Sequence, residues 1–197
     1  QPRYKMLENV VMRPEWQTII TEYMAAGEPT FINSRLVSAQ NRQRNYWANW
    51  EITQPDDQNI WLRDILESNR DWRPASIVGR RINPATGKRN DNDRSIPVVQ
   101  CLQVKSDSSK AGCVTTVAKD SVISGEPPAR YPNLYTRPEL QWRNFTLTEL
   151  ERLQTLPDGY TSAASDSQRR KMIGNGWTVA VIRHVFECLR DETDRQS

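Results

Sequence analysis

Three runs near the start of the chain decide the fold: Tyr4-Lys5-Met6-Leu7-Glu8-Asn9-Val10, then Arg13-Pro14-Glu15-Trp16-Gln17-Thr18-Ile19-Ile20-Thr21-Glu22-Tyr23-Met24-Ala25-Ala26-Gly27, then Phe31-Ile32-Asn33-Ser34-Arg35-Leu36-Val37. The first predicts a short strand over residues 4–7 that ends at Glu8-Asn9-Val10. The second predicts a helix over 13–26: Pro14 suits a first turn, Trp16, Ile19, Ile20, Tyr23 and Met24 recur at helical spacing, and Gly27 follows as a C-terminal stop. The third alternates apolar and polar residues over 31–37 and predicts a strand. Residues 45–52, with Tyr46, Trp47 and Trp50, predict another. Strand, helix, strand at this spacing points to an α/β sheet with crossover helices.

Outward from there the texture changes. Residues 53–142 hold one short helix signal (60–67) and many Pro, Gly, Asn and Asp residues. Between them stand brief strand-like runs at 76–78, 98–104, 113–117 and 122–123, which together predict a loop-rich lobe inserted after the sheet. Regular structure returns at Thr146-Leu147-Thr148-Glu149, a capping-box pattern that opens a helix through Leu153. Ser165 or Asp166 can cap a helix over 168–172. Gly174-Asn175-Gly176 interrupts it, and 178–189 forms the final helix, with Val181, Ile182, Val185, Phe186 and Leu189 on one face, before a polar tail at 191–197. The expected division is therefore 1–52 for the sheet, 53–142 for the lobe, and 143–197 for a lobe-packing helix and the helix that returns to the core.

Composition narrows the function classes. The 197 residues suffice for a sizeable core, and seven Trp, six Tyr and three Phe argue for packed structure although 26% of residues are charged. No apolar stretch reaches the length of a membrane span, and no secretory signal is legible. One histidine and three scattered cysteines (Cys101, Cys113, Cys188) provide neither a disulfide framework nor a structural zinc site, so a reducing compartment and no metal are expected. A net charge of +3 dictates no partner. Its distribution says more: the stretch from Gly79 to Asn90 carries Arg80, Arg81, Lys88 and Arg89 and no acid, and Arg169-Arg170-Lys171 is a second cluster. Cations in a Gly-punctuated loop suit phosphate contact, and a solvated surface loop is the alternative.

Four motifs, each weak alone, gain weight from their order: Glu8-Asn9-Val10; Gln40-Asn41-Arg42-Gln43-Arg44; Arg143-Asn144-Phe145-Thr146-Leu147-Thr148-Glu149-Leu150-Glu151-Arg152-Leu153-Gln154-Thr155-Leu156-Pro157; and Gly174-Asn175-Gly176-Trp177. In this order, with a wide gap only between the second and third, they resemble the later blocks of the DNA cytosine-5 methyltransferases. The resemblance runs from Leu7 to about Leu189. The Trp after Gly-Asn-Gly, and Val181-Ile182-Arg183-His184-Val185-Phe186, look most similar to the de novo branch and its bacterial and phage relatives.

The resemblance implies an α/β fold: the C-terminal part of a Rossmann-like, S-adenosylmethionine-dependent methyltransferase sheet with an inserted target-recognition lobe. It implies duplex DNA as partner and a cytosine flipped out of the helix as the reacting base. Glu8 matches the carboxyl group that bonds N3 and the exocyclic amine, so that the ring can accept a proton as a nucleophile adds. Arg44 matches the guanidinium at the O2 edge, with Arg42 beside it; lysine would lack the planar fork of donors. For Gln40 and Arg42, bracing of the fold stands as the other reading. Gly174, Asn175 and Trp177 match positions around the cofactor, and a core aromatic is the alternative for Trp177. Lys110, Thr115 and Thr116 lie in a segment that the family places at the DNA. Glu149 and Arg152 are expected to pack the helix and lobe, and His184 to pack or face solvent.

The family's Pro-Cys nucleophile block and its Gly-rich cofactor loop, which precede Glu-Asn-Val, are not found here. None of the three cysteines follows a proline. The chain is therefore expected to be the C-terminal portion of a longer methyltransferase, inactive on its own, needing the N-terminal catalytic portion and prone to self-associate through an open sheet edge. The other reading is a non-catalytic DNA-binding or accessory module, or one subunit of a split enzyme. A cytoplasmic protein of bacterial or phage origin, within a restriction-modification setting, is the expected context.

Overall fold

The computed structural model describes residues 2–68, 71–107, 109–127 and 139–196. Two small sheets and five helices build it. Strands β1 (Met6–Val10), β2 (Thr30–Asn33) and β3 (Gln43–Ala48) form a three-stranded sheet in the order β1-β3-β2, with β3 antiparallel to both neighbours. β1 and β2 therefore run in the same direction, and helix α1 (Pro14–Met24) is the crossover between them. The predicted first strand sits further along than expected: Glu8, Asn9 and Val10 belong to the strand rather than following it.

The faces of this sheet differ. On one side, Asn45 and Trp47 turn polar groups toward α1: Asn45 Nδ2 donates to Gln17 Oε1 (2.9 Å) and Trp47 Nε1 to Thr21 Oγ1 (2.8 Å). On the other, Ile32, Tyr46, Val181 and Val185 share a core with Trp50 and Ile52, which seats helix α5 (Val179–Gln196) on the sheet. α1 corrects the expected apolar face. Gln17, Ile20, Thr21 and Met24 lie half-buried, whereas Trp16, Ile19 and Tyr23 are exposed, Tyr23 at 91%. The cap differs too: Ala25 takes the left-handed conformation (φ 44°) and donates its N–H to Thr21 O, two residues before Gly27.

The lobe is organised by the second sheet, ordered β5-β4-β6-β7. Its strands are β4 (Arg73–Arg81), β5 (Val98–Val104), β6 (Val122–Ser124) and β7 (Trp142–Asn144), all antiparallel to their neighbours. β5 matches the predicted 98–104. Residues 113–117 form no strand: Ala111 pairs with Gln40 as an isolated parallel bridge, and Val114 N donates to the Gln40 side chain. Within the span 53–142, residues 69–70, 108 and 128–138 lie outside those described, as does Ser197 in the predicted tail.

A second apolar core joins lobe to helices. Leu62 and Ile65 of the short α2 (Leu62–Ile65), Ile123, Phe145, Leu150, Leu153 and Ile173 pack around Ala39, Ala111 and Val114. Helix α3 (Leu147–Leu153) starts with the predicted capping box: Thr146 Oγ1 accepts from Glu149 N, and Glu149 Oε2 accepts from Thr146 N. Ser165 begins α4 (Asp166–Asn175) in the same manner. The predicted polar tail is helical in the structure, because α5 continues to Gln196.

Candidate active site

β1 and β3 place the first two motifs side by side. Glu8 stands opposite Tyr46, and Val10 opposite Arg44. With a side-chain period of two, Glu8 and Arg44 point from the same face as diagonal neighbours. Arg44 Nε lies 2.7 Å from Glu8 Oε1, and both side chains are about 15% exposed. Trp177 reaches the same carboxylate from a third element: its Nε1 donates to Glu8 Oε2 at 3.2 Å. Among the described residues, Glu8 Oε1 is buried without an aligned hydrogen-bond donor, so it keeps acceptor capacity beyond its ion pair with Arg44. Burial, helped by the Glu8 charge, pushes the Tyr46 phenol far above its usual range against the opposing pull of Arg42 and Arg44. Tyr46 therefore stays neutral beside Glu8.

Arg42 does different work from Arg44. Its Nη1 donates to Val114 O (3.0 Å) and contacts Cys113 Sγ (3.2 Å), and its Nη2 donates to Gly176 O (2.9 Å). The planar fork thus ties the residue just before β3 to the 113–114 segment and to the Gly-Asn-Gly loop. Gln40 extends this brace. It donates to Leu153 O (2.5 Å) and Gln154 Oε1 (2.9 Å), and its own Oε1 accepts from Val114 N (3.1 Å). Gln154 then donates to Ile173 O (2.8 Å) and Gly176 O (3.2 Å), while Thr178 Oγ1 donates back to it (3.0 Å). Three of the four motifs therefore meet in one buried network, and the Glu8–Trp177 contact brings in the fourth.

Gly174 is buried at a crowded contact. A Cβ there would fall 2.6 Å from the backbone of Thr115 and Thr116. Asn175 is exposed at the end of α4. Beside it lies a cavity of about 220 Å³ lined chiefly by Leu156, Tyr160, Met172, Ile173, Trp177 and Val179. It is smaller than the roughly 300–1,000 Å³ of usual small-molecule pockets.

The expected DNA-contact residues separate into two groups. Arg80 and Arg81 belong to β4, and Lys88 and Arg89 to the connection from β4 to β5; Lys88 is exposed, and Arg89 pairs with Asp91 (2.5 Å). Thr116 is exposed, while the Thr115 hydroxyl is engaged with Val117 and Asp120. Lys110 departs from the expectation. Its ammonium is buried and donates to the carbonyls of Arg35 (2.7 Å), Ser38 (3.0 Å) and Ile60 (2.5 Å), leaving it turned inward. Burial holds its pKa below the usual ammonium range, with nearby Asp57 opposing. His184 hydrogen-bonds Thr53 O (2.9 Å).

The model of the C-5 cytosine-specific DNA methylases matches residues 25–190, most of the chain. The chain belongs to this family. Members of the family use S-adenosylmethionine as cofactor. The fold agrees with two solved structures: the S. pombe Dnmt2 methyltransferase (19% identity, TM-score 0.57) and the Entamoeba histolytica methyltransferase EhMeth (15%, TM-score 0.61). Each covers 98% of this chain, which spans 68% and 64% of their lengths, respectively. Family membership covers the Gln40–Arg44, Arg143–Pro157 and Gly174–Trp177 motifs; Glu8 lies before the matched residues and joins them through its contacts with Arg44 and Trp177. Sequence reasoning missed Gln154 and Thr178 as partners of Gln40. The pattern that could have found them is a run of uncharged polar residues inside otherwise apolar helix ends.

No helix among the described residues is long and apolar enough to cross a membrane.

Proposed function

We propose that this chain forms the base-recognition and target-recognition portion of a DNA cytosine-5 methyltransferase. The observation that carries the reading is the Glu8–Arg44 pair, held at 2.7 Å on adjacent strands. Glu8 engages N3 and the exocyclic amine of a flipped cytosine, where it can hold or deliver a proton. Arg44 turns its guanidinium to O2, and its charge stabilises the negative character that the ring gains when a nucleophile adds to C6. Tyr46, opposite Glu8 on β3, stays neutral beside them. Asn175 and Trp177 would hold the cofactor beside the apolar cavity, and bound S-adenosylmethionine supplies an electrophilic methyl group there.

The finer reading assigns the nucleophile and the Gly-rich cofactor loop to polypeptide outside this chain. Two observations support it: no cysteine here follows a proline, and Cys101 is fully buried. The exposed Trp16, Ile19 and Tyr23 on α1 are a further support, since they leave room for additional packing on that helix. The division into a sheet portion (1–52), a lobe (53–142) and returning helices (143–197), membership of the de novo-like branch, a bacterial or phage source and a tendency to self-associate belong to the same proposal. In the lobe, Arg80, Arg81, Lys88 and Arg89 contact DNA phosphates, and the Thr115–Thr116 segment lies at the DNA, for phosphate or base contact.

The test has two stages. The chain alone, given labelled S-adenosylmethionine and cytosine-containing duplex, transfers no label; robust transfer would overturn its expected inactivity. Fused behind a family segment carrying Pro-Cys and the Gly-rich loop, it transfers methyl groups, and Glu8→Gln or Arg44→Ala lowers the rate at least about a hundredfold. A fusion that methylates at full rate without Glu8 removes the proposed role. The accessory-module reading draws on the same missing Pro-Cys, and it predicts duplex binding with no transfer by any fusion.

A further inference from the structure

We infer that Trp177 is a positioning residue for Glu8, and that its indole N–H, besides its ring face, is what the site uses. The inference rests on the reading of Glu8 as the base-recognising carboxylate. It starts from a contact between chain segments 169 residues apart: Trp177 Nε1 donates to Glu8 Oε2 at 3.2 Å. A carboxylate that must meet a base edge in one orientation has a torsion free to turn, and Arg44 constrains it from one oxygen only. The indole fixes the other. A hydrogen bond to a charged acceptor is about twice as strong as one between neutral groups, so this contact sets which lone pairs remain for the base.

The donor itself is held from behind. Gly176, the residue before it, has its carbonyl gripped by Arg42 Nη2 (2.9 Å) and Gln154 Nε2 (3.2 Å). Gly174 is pinned against the backbone of Thr115 and Thr116. Thr178, the residue after, is buried and hydrogen-bonded to Ser34 (2.9 Å) and Gln154. With both flanks fixed, the indole enters from a rigid base, and Trp177, 46% exposed as a residue, lines the cavity. Phenylalanine would keep an aromatic ring at that wall and lose the donor together with part of the indole's bulk. Trp177 therefore joins the cofactor side of the site to the base side: whatever occupies the cavity touches the ring that orients Glu8.

Two measurements on the chain test this, and neither needs methyl transfer. In the ¹⁵N-indole spectrum, Trp177→Phe removes one cross-peak and so assigns it. Glu8→Ala then moves that peak upfield, as expected when a charged acceptor is lost, while the other indole peaks stay in place. Carbodiimide labelling with mass-spectrometric readout gives the reverse view. Trp177→Phe raises the labelling rate of Glu8 about tenfold, the scale of one hydrogen bond to a charged group, relative to Glu15 on α1. Met172→Ala, which opens the cavity without touching Glu8, leaves that rate unchanged and so separates positioning from mere cover. An unmoved indole peak in Glu8→Ala, or equal labelling in Trp177→Phe and the parent, overturns the inference. Glu8 proving dispensable for methylation would instead overturn the proposed function and leave this contact standing.

Discussion

Arg143 grips Glu149 with both ends of its fork: Nη1 lies 2.7 Å from Oε2 and Nη2 lies 2.8 Å from Oε1, and the carboxylate has no exposed surface. The same two oxygens accept from Thr146 N (2.9 Å) and Glu67 N (3.0 Å). One side chain therefore fastens β7, the start of α3 and the end of the α2 segment. Removing one partner of such a pair leaves an uncompensated buried charge, a loss of about 3–5 kcal/mol. Arg143→Met should lower the urea-unfolding free energy by that order, and Arg143→Met with Glu149→Leu by less. A single variant within about 1 kcal/mol of the parent would show that the pair does not hold the lobe.

Acid should weaken the fold through two buried glutamates. Burial pushes Glu149 up, but hydrogen bonds from Arg143, Thr146 and Glu67 outweigh it and hold its carboxyl below the ordinary value of 4.5. Glu151 behaves alike: burial raises it, while Thr161, Arg169 and Gly159 bring it below 4.5. A carboxylate depressed in the folded state contributes stability that is fully present above the unfolded value and is lost as pH falls through the folded one. The melting temperature should thus show no loss from these groups between pH 7 and about 5.5, and should decline below about 4.5. In Glu151→Gln that acid decline should be shallower, from a lower starting stability. An equally steep decline in the variant would rule out Glu151 as a source.

Gly174→Ala tests the packing between the Gly-Asn-Gly loop and the lobe. The added Cβ would sit 2.6 Å from Thr115 C and Thr116 N, both backbone atoms that a side-chain rotation cannot move. Overpacking of this kind costs about 1–3 kcal/mol, and differential scanning calorimetry should record a lower melting temperature. An unchanged melting temperature would mean that the two segments are not apposed.

Glu8 and Arg44 could be singled out because the four motifs stand in the family's order; that the two side chains pair with each other follows only from the register of β1 on β3. The capping box at Thr146 and the strand at Val98–Val104 were legible because each is written in consecutive residues. What escaped depends on partners distant in the chain. Helical spacing on α1 picks out an apolar stripe, yet the inward positions include Gln17 and Thr21, whose side chains bond Asn45 and Trp47. Nothing local marks those two as inward-facing. Lys110 reads as a surface cation, because its three carbonyl partners come from residues 35, 38 and 60. Glu8-Asn9-Val10 reads as a strand end, because the partners that extend the strand through it, Arg44 to Tyr46, stand far along the chain.

The basic hairpin yields the last prediction. Lys88 is exposed beside Arg89, whose guanidinium already pairs with Asp91 at 2.5 Å, so the two cations should differ in strength as phosphate contacts. Neutralising a phosphate releases condensed counterions, and each lost contact lowers the slope of log affinity against log salt by about 0.9. Lys88→Gln should therefore weaken duplex binding by a similar factor on every sequence and reduce the salt slope by about one. Arg89→Gln should do less, because part of its charge is already spent on Asp91. Fluorescence anisotropy at several salt concentrations, on two unrelated duplexes, separates the cases. If Lys88→Gln changes affinity on only one duplex, the hairpin reads bases; if it changes neither, the hairpin lies off the DNA.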